Sequence, residues 1–98
     1  MTSREALRRL NRNRERLRAH HVRHIAVFGS TARDQATEHS DVDILVEFEP
    51  DAPVGLFAFV RLLDFLGGVM DTRIDLATPD ALRPEMRDEI LGEAVRAF

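Results

Sequence analysis

Apolar residues along this chain fall into short β-branched runs and longer helical runs, with polar turns between them. Three of the short runs predict strands, and each is followed by Gly or Pro within two residues: 25–28, 41–48 and 73–77. The longer runs have helical spacing and are placed to pack on a sheet of these strands. The pattern therefore predicts an α/β fold, a small twisted mixed β-sheet flanked by helices.

Two helices are predicted after the second strand. Residues 56–66 are apolar over most of a helical circumference, and this helix is expected to end at Gly67 and Gly68. Such a helix needs more than one covering surface, so it either packs entirely on the sheet or docks part of its surface on a partner subunit. Residues 84–98 predict a last helix with an inner face made of Met86, Ile90, Leu91, Ala94 and Val95.

The first 21 residues predict a basic surface helix that precedes a core at residues 22–98, within a single domain of residues 1–98. Residues 1–24 contain eight Arg against only Glu5 and Glu15, whereas the rest of the chain is acidic. A narrow apolar stripe lies at Ala6, Leu7, Leu10 and Leu17. Two interpretations stay open: a contact with RNA, nucleotide or an acidic partner, or a solvated helix held by its leucines. Direct DNA binding is not expected.

Composition excludes several classes of function. The 98 residues are enough for one small core, and the absence of Cys excludes disulfides, thiolate catalysis and Cys-zinc sites. No apolar stretch is long enough to span a bilayer and no leader is evident, so a cytoplasmic protein without membrane contact is expected. His20 and His24 have a spacing that can bind zinc on a helix, but no acidic or Cys partner stands at a motif distance.

A possible phosphate-binding turn follows the first predicted strand. Gly29 allows the backbone to turn sharply and to approach a ligand closely. Ser30 can cap the helix that Thr31 begins, and its hydroxyl and N–H can donate to phosphate oxygens. The turn therefore suits a nucleotide triphosphate.

Two acidic residues of the second predicted strand come after this turn, with ten residues between. Asp41 and Asp43 alternate along the second strand and so share one of its faces. Neighbouring carboxylates resist joint ionisation unless a cation lies between them, and Mg²⁺ suits such ligands together with phosphates. Asp75, in the third strand, is a candidate to help hold a second ion of a two-metal site.

These residues resemble a known family. The Gly29-Ser30 pair, ten intervening residues and then Asp41 and Asp43 look like the signature of the DNA polymerase β-like nucleotidyltransferase superfamily. The segments at 27–33 and 73–83 are similar to its minimal nucleotidyltransferase branch, the MNT or MntA-type antitoxins. The likeness spans about residues 22–98.

The resemblance implies an enzyme that transfers AMP from ATP, with Mg²⁺, to a tyrosine hydroxyl of a partner HEPN-family toxin, in a hetero-oligomer. It places Gly29, Ser30 and Arg33 on the nucleotide. For Arg33, in the usual Arg position, a structural ion pair with a carboxylate stays open as the alternative to a phosphate contact. Asp41, Asp43 and Asp75 are placed on the metals, with Asp75 also as the general base. One position departs from the family pattern, since Asp34 stands where a second Gly is usual and adds negative charge near the nucleotide.

Two alternatives belong to other classes. A non-catalytic antitoxin would neutralise its toxin by binding alone and would need none of the three carboxylates. Transfer to a small molecule such as an aminoglycoside would need a substrate pocket, for which the chain is too short unless it oligomerises. The retained carboxylates favour the protein-modifying enzyme.

Overall fold

A computed structural model describes residues 1–98 and contains one mixed four-stranded sheet with helices on both faces. The helices are α1 (Ser3–Arg12), α2 (Arg14–Ala19), α3 (Gly29–Ala32), α4 (Leu56–Met70) and α5 (Pro84–Glu93). The strands are β1 (Val22–Phe28), β2 (Val42–Phe48), β3 (Ile74–Ala77) and β4 (Val95–Arg96), in the order β3-β2-β1-β4. β1 is antiparallel to β2 and β4, while β2 is parallel to β3. The predicted α/β class is confirmed.

The larger core lies between one face of the sheet and the helices α1, α2 and α4. Val42, Ile44 and Val46 of β2 all point into it, because alternate side chains of a strand share a face. Asp43 and Leu45 therefore point to the opposite face. The helices contribute fully buried side chains to the same core: Ala6, Leu10, Leu17, Leu62, Leu66 and Met70.

The opposite face carries a smaller apolar cluster and is only partly covered by α5. Ala26, Phe28 and Leu45 form the cluster, against which Ile90 and Ala94 pack as half-buried residues. The predicted inner face of the last helix is wrong in its other members, since Met86, Leu91 and Val95 are exposed. No residue of α5 is buried, because this helix meets few sheet side chains.

The N-terminal segment is not one helix, as expected for residues 1–21, but two. The break lies at Asn13, whose side-chain amide donates to the carbonyl of Arg9 at 2.9 Å. An Asn side chain that bonds the nearby backbone in this way competes with regular helix formation. The apolar stripe nevertheless docks as the leucines indicated, since Leu10 and Leu17 are fully buried.

Two other helix ends differ from the predictions. α4 continues through Gly67 and Gly68 to Met70 and ends at Asp71, which has a left-handed φ of 55°. The last helix ends at Glu93 instead of Phe98, and the chain then forms β4 on the free edge of β1. Just after this strand, the Ala97 N–H donates to the Ile25 carbonyl and the Phe98 carbonyl accepts from the Ile25 N–H. None of the helices combines the length and apolar character needed to cross a bilayer.

Candidate functional site

The turn between β1 and α3 is packed directly against Asp43. Gly29 has a φ of 65°, in the left-handed region that side chains rarely adopt. A Cβ at Gly29 would overlap Oδ2 of Asp43 and would lie 3.0 Å from its Cγ. Glycine therefore allows the main chain to turn and allows the carboxylate to lie beside that turn.

Asp43 and Asp75 occupy neighbouring positions on adjacent parallel strands, since they are Cα partners in the register of β2 and β3. Burial of the Asp43 carboxyl, which disfavours its charged form, raises its pKa to about 6. The negative charges of Asp75 and Asp41 raise this pKa further, as does a hydrogen bond with Asp75, while Arg33 opposes the shift. The two strands thus bring together two carboxyl groups that resist joint ionisation.

Asp41 lies at the edge of this pair. It precedes the first residue of β2, and its half-exposed side chain is 3.8 Å from Nε of Arg73. Asp75 is also exposed. No three acidic or imidazole side chains form a ready-made metal cluster in the structure. The structure therefore brings Asp43 and Asp75 together and leaves Asp41 nearby on the rim.

The chemistry of these donors fits a hard divalent cation. The Asp43 carboxyl is held beside two other carboxylates, and this proximity raises its pKa. A cation bound to the oxygens would offset that repulsion, and carboxylate oxygens are the protein ligands that Mg²⁺ prefers. The residues present thus suit the expected metal.

Ser30 does not cap α3, contrary to the prediction. The first turn of this four-residue helix has no side-chain cap, and the Ser30 hydroxyl makes no hydrogen bond within the chain. Its carbonyl accepts the N–H of Gln35 at 2.8 Å, which closes the turn from the other side. The hydroxyl of this half-buried side chain is therefore free of intramolecular partners.

The Asp34 carboxylate lies at the start of α1. Its φ is 56°, a conformation that glycine adopts readily and Asp tolerates better than most residues. Its two carboxylate oxygens accept hydrogen bonds from the backbone N–H and the hydroxyl of Ser3, at 2.8 and 3.2 Å. A carboxylate at a helix N-terminus is favourable, so the residue that replaces the usual Gly has a structural partner.

Arg33 and Gly29 share an acidic partner, and the ion pair left open for Arg33 is present. Glu93, the last residue of α5, accepts from Nη1 of Arg33 and from the backbone N–H of Gly29, both at 2.9 Å. Sixty-four residues separate Gly29 from Glu93, and no local motif marks the acidic residue. Only the packing of α5 on the sheet brings it to the turn.

The two histidines with zinc spacing have other contacts. His20 follows the end of α2 and stacks on Phe65 at 5.1 Å between ring centroids. His24 lies in β1, where its Nδ1 is 2.8 Å from Nη2 of Arg96. They are not on one helix face, so the helical zinc spacing is not realised.

The carboxylate site lies at the surface instead of in an enclosed cavity. The largest cavity, of about 830 Å³, lies at the opposite end of β2, against Phe48, Gly55 and Thr78. None of Asp41, Asp43 and Asp75 lines it. A large acceptor molecule could therefore approach the carboxylates from solvent.

Comparisons with known proteins agree on one family. Residues 7–97 match the nucleotidyltransferase domain family. The protein adenylyltransferase MntA of Thermococcus cleftensis is 42% identical over 74 residues, which are 76% of this chain and 73% of that protein. A solved structure described as a minimal nucleotidyltransferase is 36% identical, with a TM-score of 0.76 over 97% of this chain and 95% of the other.

A more distant solved structure shares the fold. It is a complex of a tri-AMPylated Shewanella oneidensis HEPN toxin with an MNT antitoxin. The matched chain is 19% identical, with a TM-score of 0.61 over 91% of this chain and 70% of the other. At this level of identity the similarity concerns the fold alone.

Proposed function

Because this chain belongs to the nucleotidyltransferase domain family, we propose that it is a protein adenylyltransferase that moves AMP from ATP to a tyrosine of a partner HEPN toxin. The main support is the contact of the Gly29 turn with Asp43, beside Asp75 on the next strand. Such a contact supports a site in which donors for phosphate oxygens lie next to carboxylates for a metal. The relative named protein adenylyltransferase MntA, 42% identical, supports AMP as the transferred group.

In this proposal Asp43, Asp75 and Asp41 hold Mg²⁺, and the exposed Asp75 also accepts the proton of the incoming hydroxyl. Bound Mg²⁺ supplies positive charge that polarises the phosphate oxygens and stabilises the leaving group. The tyrosine oxygen forms a bond to the α-phosphorus of ATP, and the bond from that phosphorus to the bridging oxygen breaks. AMP remains on the tyrosine, and pyrophosphate leaves.

Donors around the turn would orient the triphosphate. The Ser30 hydroxyl is free of intramolecular partners, and Arg33 keeps Nη2 free although Nη1 and Nε are bonded. A guanidinium can meet phosphate oxygens with several N–H groups in a fixed plane. These donors lie within residues 22–98, which we propose as the catalytic core, with residues 1–21 as a supporting segment.

None of the 98 residues is Tyr, which fits an acceptor tyrosine on another molecule. Leu56 and Phe57 at the start of α4 are 74% and 78% exposed, and Val60 in the next turn is also exposed. Exposed apolar side chains in one place are typical of contacts between proteins. The antitoxin complex with an AMPylated HEPN toxin, although distant, is consistent with a partner of that class.

Neutralisation by binding alone is the second candidate, and the same exposed apolar side chains favour it. It would leave the pairing of Asp43 with Asp75 unexplained, because binding alone gives no reason to hold the Asp43 carboxyl beside another carboxylate, where its pKa is raised. We therefore place catalysis first.

The test is intact-mass spectrometry of a HEPN toxin from the same genome after incubation with this protein, ATP and Mg²⁺. We expect mass gains in steps of one AMP, absent with the Asp41→Asn, Asp43→Asn double variant. Asp51→Asn, at an exposed carboxylate outside the site, is the control and should leave the gains intact. A stable complex without a mass gain would favour neutralisation by binding.

A further inference from the structure

We propose that Glu93 is a positioning residue that holds the phosphate-binding turn and Arg33 in the arrangement that nucleotide binding requires. The inference rests on the proposed function, because it assigns Gly29, Ser30 and Arg33 to the triphosphate. Glu93 itself is not assigned a contact with the nucleotide. It acts through the two groups that it holds.

One carboxylate connects two separate parts of the turn. Oε1 of Glu93 accepts from the Gly29 N–H and Oε2 accepts from Nη1 of Arg33, both at 2.9 Å. The Glu93 side chain is 22% exposed, so these bonds are shielded more than those of a free surface pair. Charge-assisted bonds of this length are among the stronger hydrogen bonds in proteins.

The Gly29 N–H has no hydrogen-bond partner within the chain other than Glu93. It is the first N–H of α3, which has no side-chain cap, because neither Phe28 nor Ser30 supplies one. If this N–H were unpaired, the turn would be less restrained, because glycine has more backbone freedom than other residues. Glu93 closes it, and the Gly29 backbone thereby stays in contact with Asp43.

Two of the three guanidinium nitrogens of Arg33 have hydrogen-bond partners, and Nη2 has none. Glu93 binds Nη1, while Oε1 of Gln35 accepts from Nε at 3.1 Å. A long side chain fixed in this way loses little further conformational entropy when its remaining N–H groups bind a ligand. The unpaired Nη2 is therefore a preorganised donor for a phosphate oxygen.

Competition between Glu93 and the triphosphate would change nucleotide affinity in the opposite direction. If Glu93 competed with the triphosphate for Gly29 and Arg33, removing its charge would strengthen nucleotide binding. Positioning predicts the reverse, because Arg33 would become mobile and the turn would loosen. The sign of the change in affinity separates the two.

The experiment measures the affinity of the full chain for AMP-PNP with Mg²⁺ by calorimetry. Glu93→Gln keeps the shape of the side chain and can still accept from the Gly29 N–H, but it loses the ion pair with Arg33. Glu89→Gln is the matched control, since it makes the same charge change one helical turn earlier at an exposed residue without a hydrogen-bond partner. Asp43→Asn tests the nucleotide site itself.

We expect Glu93→Gln to weaken AMP-PNP binding about tenfold, since ordering a long side chain such as Arg33 on binding lowers affinity by about that factor. Glu89→Gln should bind like the wild type. In an Arg33→Gln background, Glu93→Gln should add a much smaller loss, because its effect passes through Arg33. NMR spectra of the nucleotide-free protein should show the Arg33 Nε–H and Gly29 amide signals shifted in Glu93→Gln, while the melting temperature stays close to that of the wild type.

Three outcomes would overturn the assignment. Unchanged or tighter AMP-PNP binding by a folded Glu93→Gln protein would remove the positioning role, while the proposed function would stand if Asp43→Asn still abolished Mg²⁺-dependent binding. A fully additive loss in the Arg33→Gln background would mean that Glu93 does not act through Arg33. Absence of AMP-PNP binding by the wild type would overturn the proposed function and the role of Glu93 with it.

Discussion

Gly29 and Asp43 fit together so closely that a methyl group on Gly29 would occupy the space of the Asp43 carboxylate. The two residues come from different elements, the turn after β1 and the strand β2. The proposed phosphate-binding turn and the central carboxylate of the proposed metal site are thus packed as one unit. A change at either residue is expected to affect the other.

Gly29→Ala should lower both stability and AMP transfer. An Ala residue is strained at this positive φ, and its Cβ would displace the Asp43 carboxylate. We therefore expect a loss of about 1–3 kcal/mol in the free energy of unfolding. Urea unfolding and the intact-mass assay measure the two effects. Gly68→Ala is the control, because its Cβ would meet nothing within 4 Å inside α4. It should stabilise the protein by about 0.5–1 kcal/mol; equal effects of the two changes would contradict the packing described.

The stability of the metal-free protein should depend on the titration of Asp43. Its pKa is raised from 3.8 to about 6 in the folded chain, so the folded state binds more protons than the unfolded state between these values. The free energy of unfolding therefore decreases as pH rises through this window. In EDTA, Asp43→Asn should be more stable than the wild type above the window and equally stable below it. A stability difference that does not change with pH would argue against this titration.

Mg²⁺ should restore the stability that is lost when Asp43 ionises. Near neutral pH, binding to the ionised carboxylates offsets their repulsion and stabilises only the folded state. We expect the melting temperature of the wild type to rise with Mg²⁺ concentration and that of Asp43→Asn to respond far less. Thermal scans in Mg²⁺ and in EDTA check this, and an equal response of both proteins would place the ion elsewhere.

Thr31 should tolerate the loss of its hydroxyl. Its Oγ1 is buried without a hydrogen-bond partner, and an unpaired buried polar group is unfavourable. Thr31→Val keeps the shape and should leave stability unchanged or increase it by up to about 1 kcal/mol. Thr31→Ser keeps the hydroxyl but removes a buried methyl, and it should destabilise by about 1 kcal/mol. Chemical denaturation would show the reverse order if the hydroxyl had a role in the fold.

Arg9 is expected to be the structural arginine of the basic segment. Its Nη1 donates to the carbonyls of Met70 and Val69 at 2.8 and 3.4 Å, and so satisfies the C-terminal end of α4. Arg9→Ala should lower the free energy of unfolding by about 1–2 kcal/mol. The exposed Arg12 has no such partner, and Arg12→Ala should change stability by less than about 0.5 kcal/mol. Equal losses would show that net charge, and not this cap, accounts for the effect.

Two further arginines of this segment contact an aromatic ring of the core. Arg14 and Arg18 lie over the ring of Phe98, with guanidinium carbons 4.8 and 5.4 Å from its centroid. These contacts support the interpretation of a helix held by its own side chains. They also give the C-terminal residue, which was predicted to lie in a helix, a place in the core.

Three strands and the residues that share a face in them followed from the sequence alone, because they depend on the spacing of near neighbours. The apolar runs predicted three of the four strands, and the alternation in β2 predicted that Asp43 faces away from the residues flanking it. The glycine needed at the turn also followed from its position between strand and helix. No sequence pattern marks β4, since two residues carry no pattern of their own.

The partners of the site depend on the tertiary structure. Sequence placed Gly29 and Asp43 near each other but not in contact, and it gave no reason to connect Glu93 with Arg33. Local chemistry suggested that Ser30 caps α3, whereas packing of α5 supplies Glu93 for that end of the turn. A hydrogen bond between residues sixty or more positions apart is set by how helices pack on the sheet, and no short pattern encodes that arrangement.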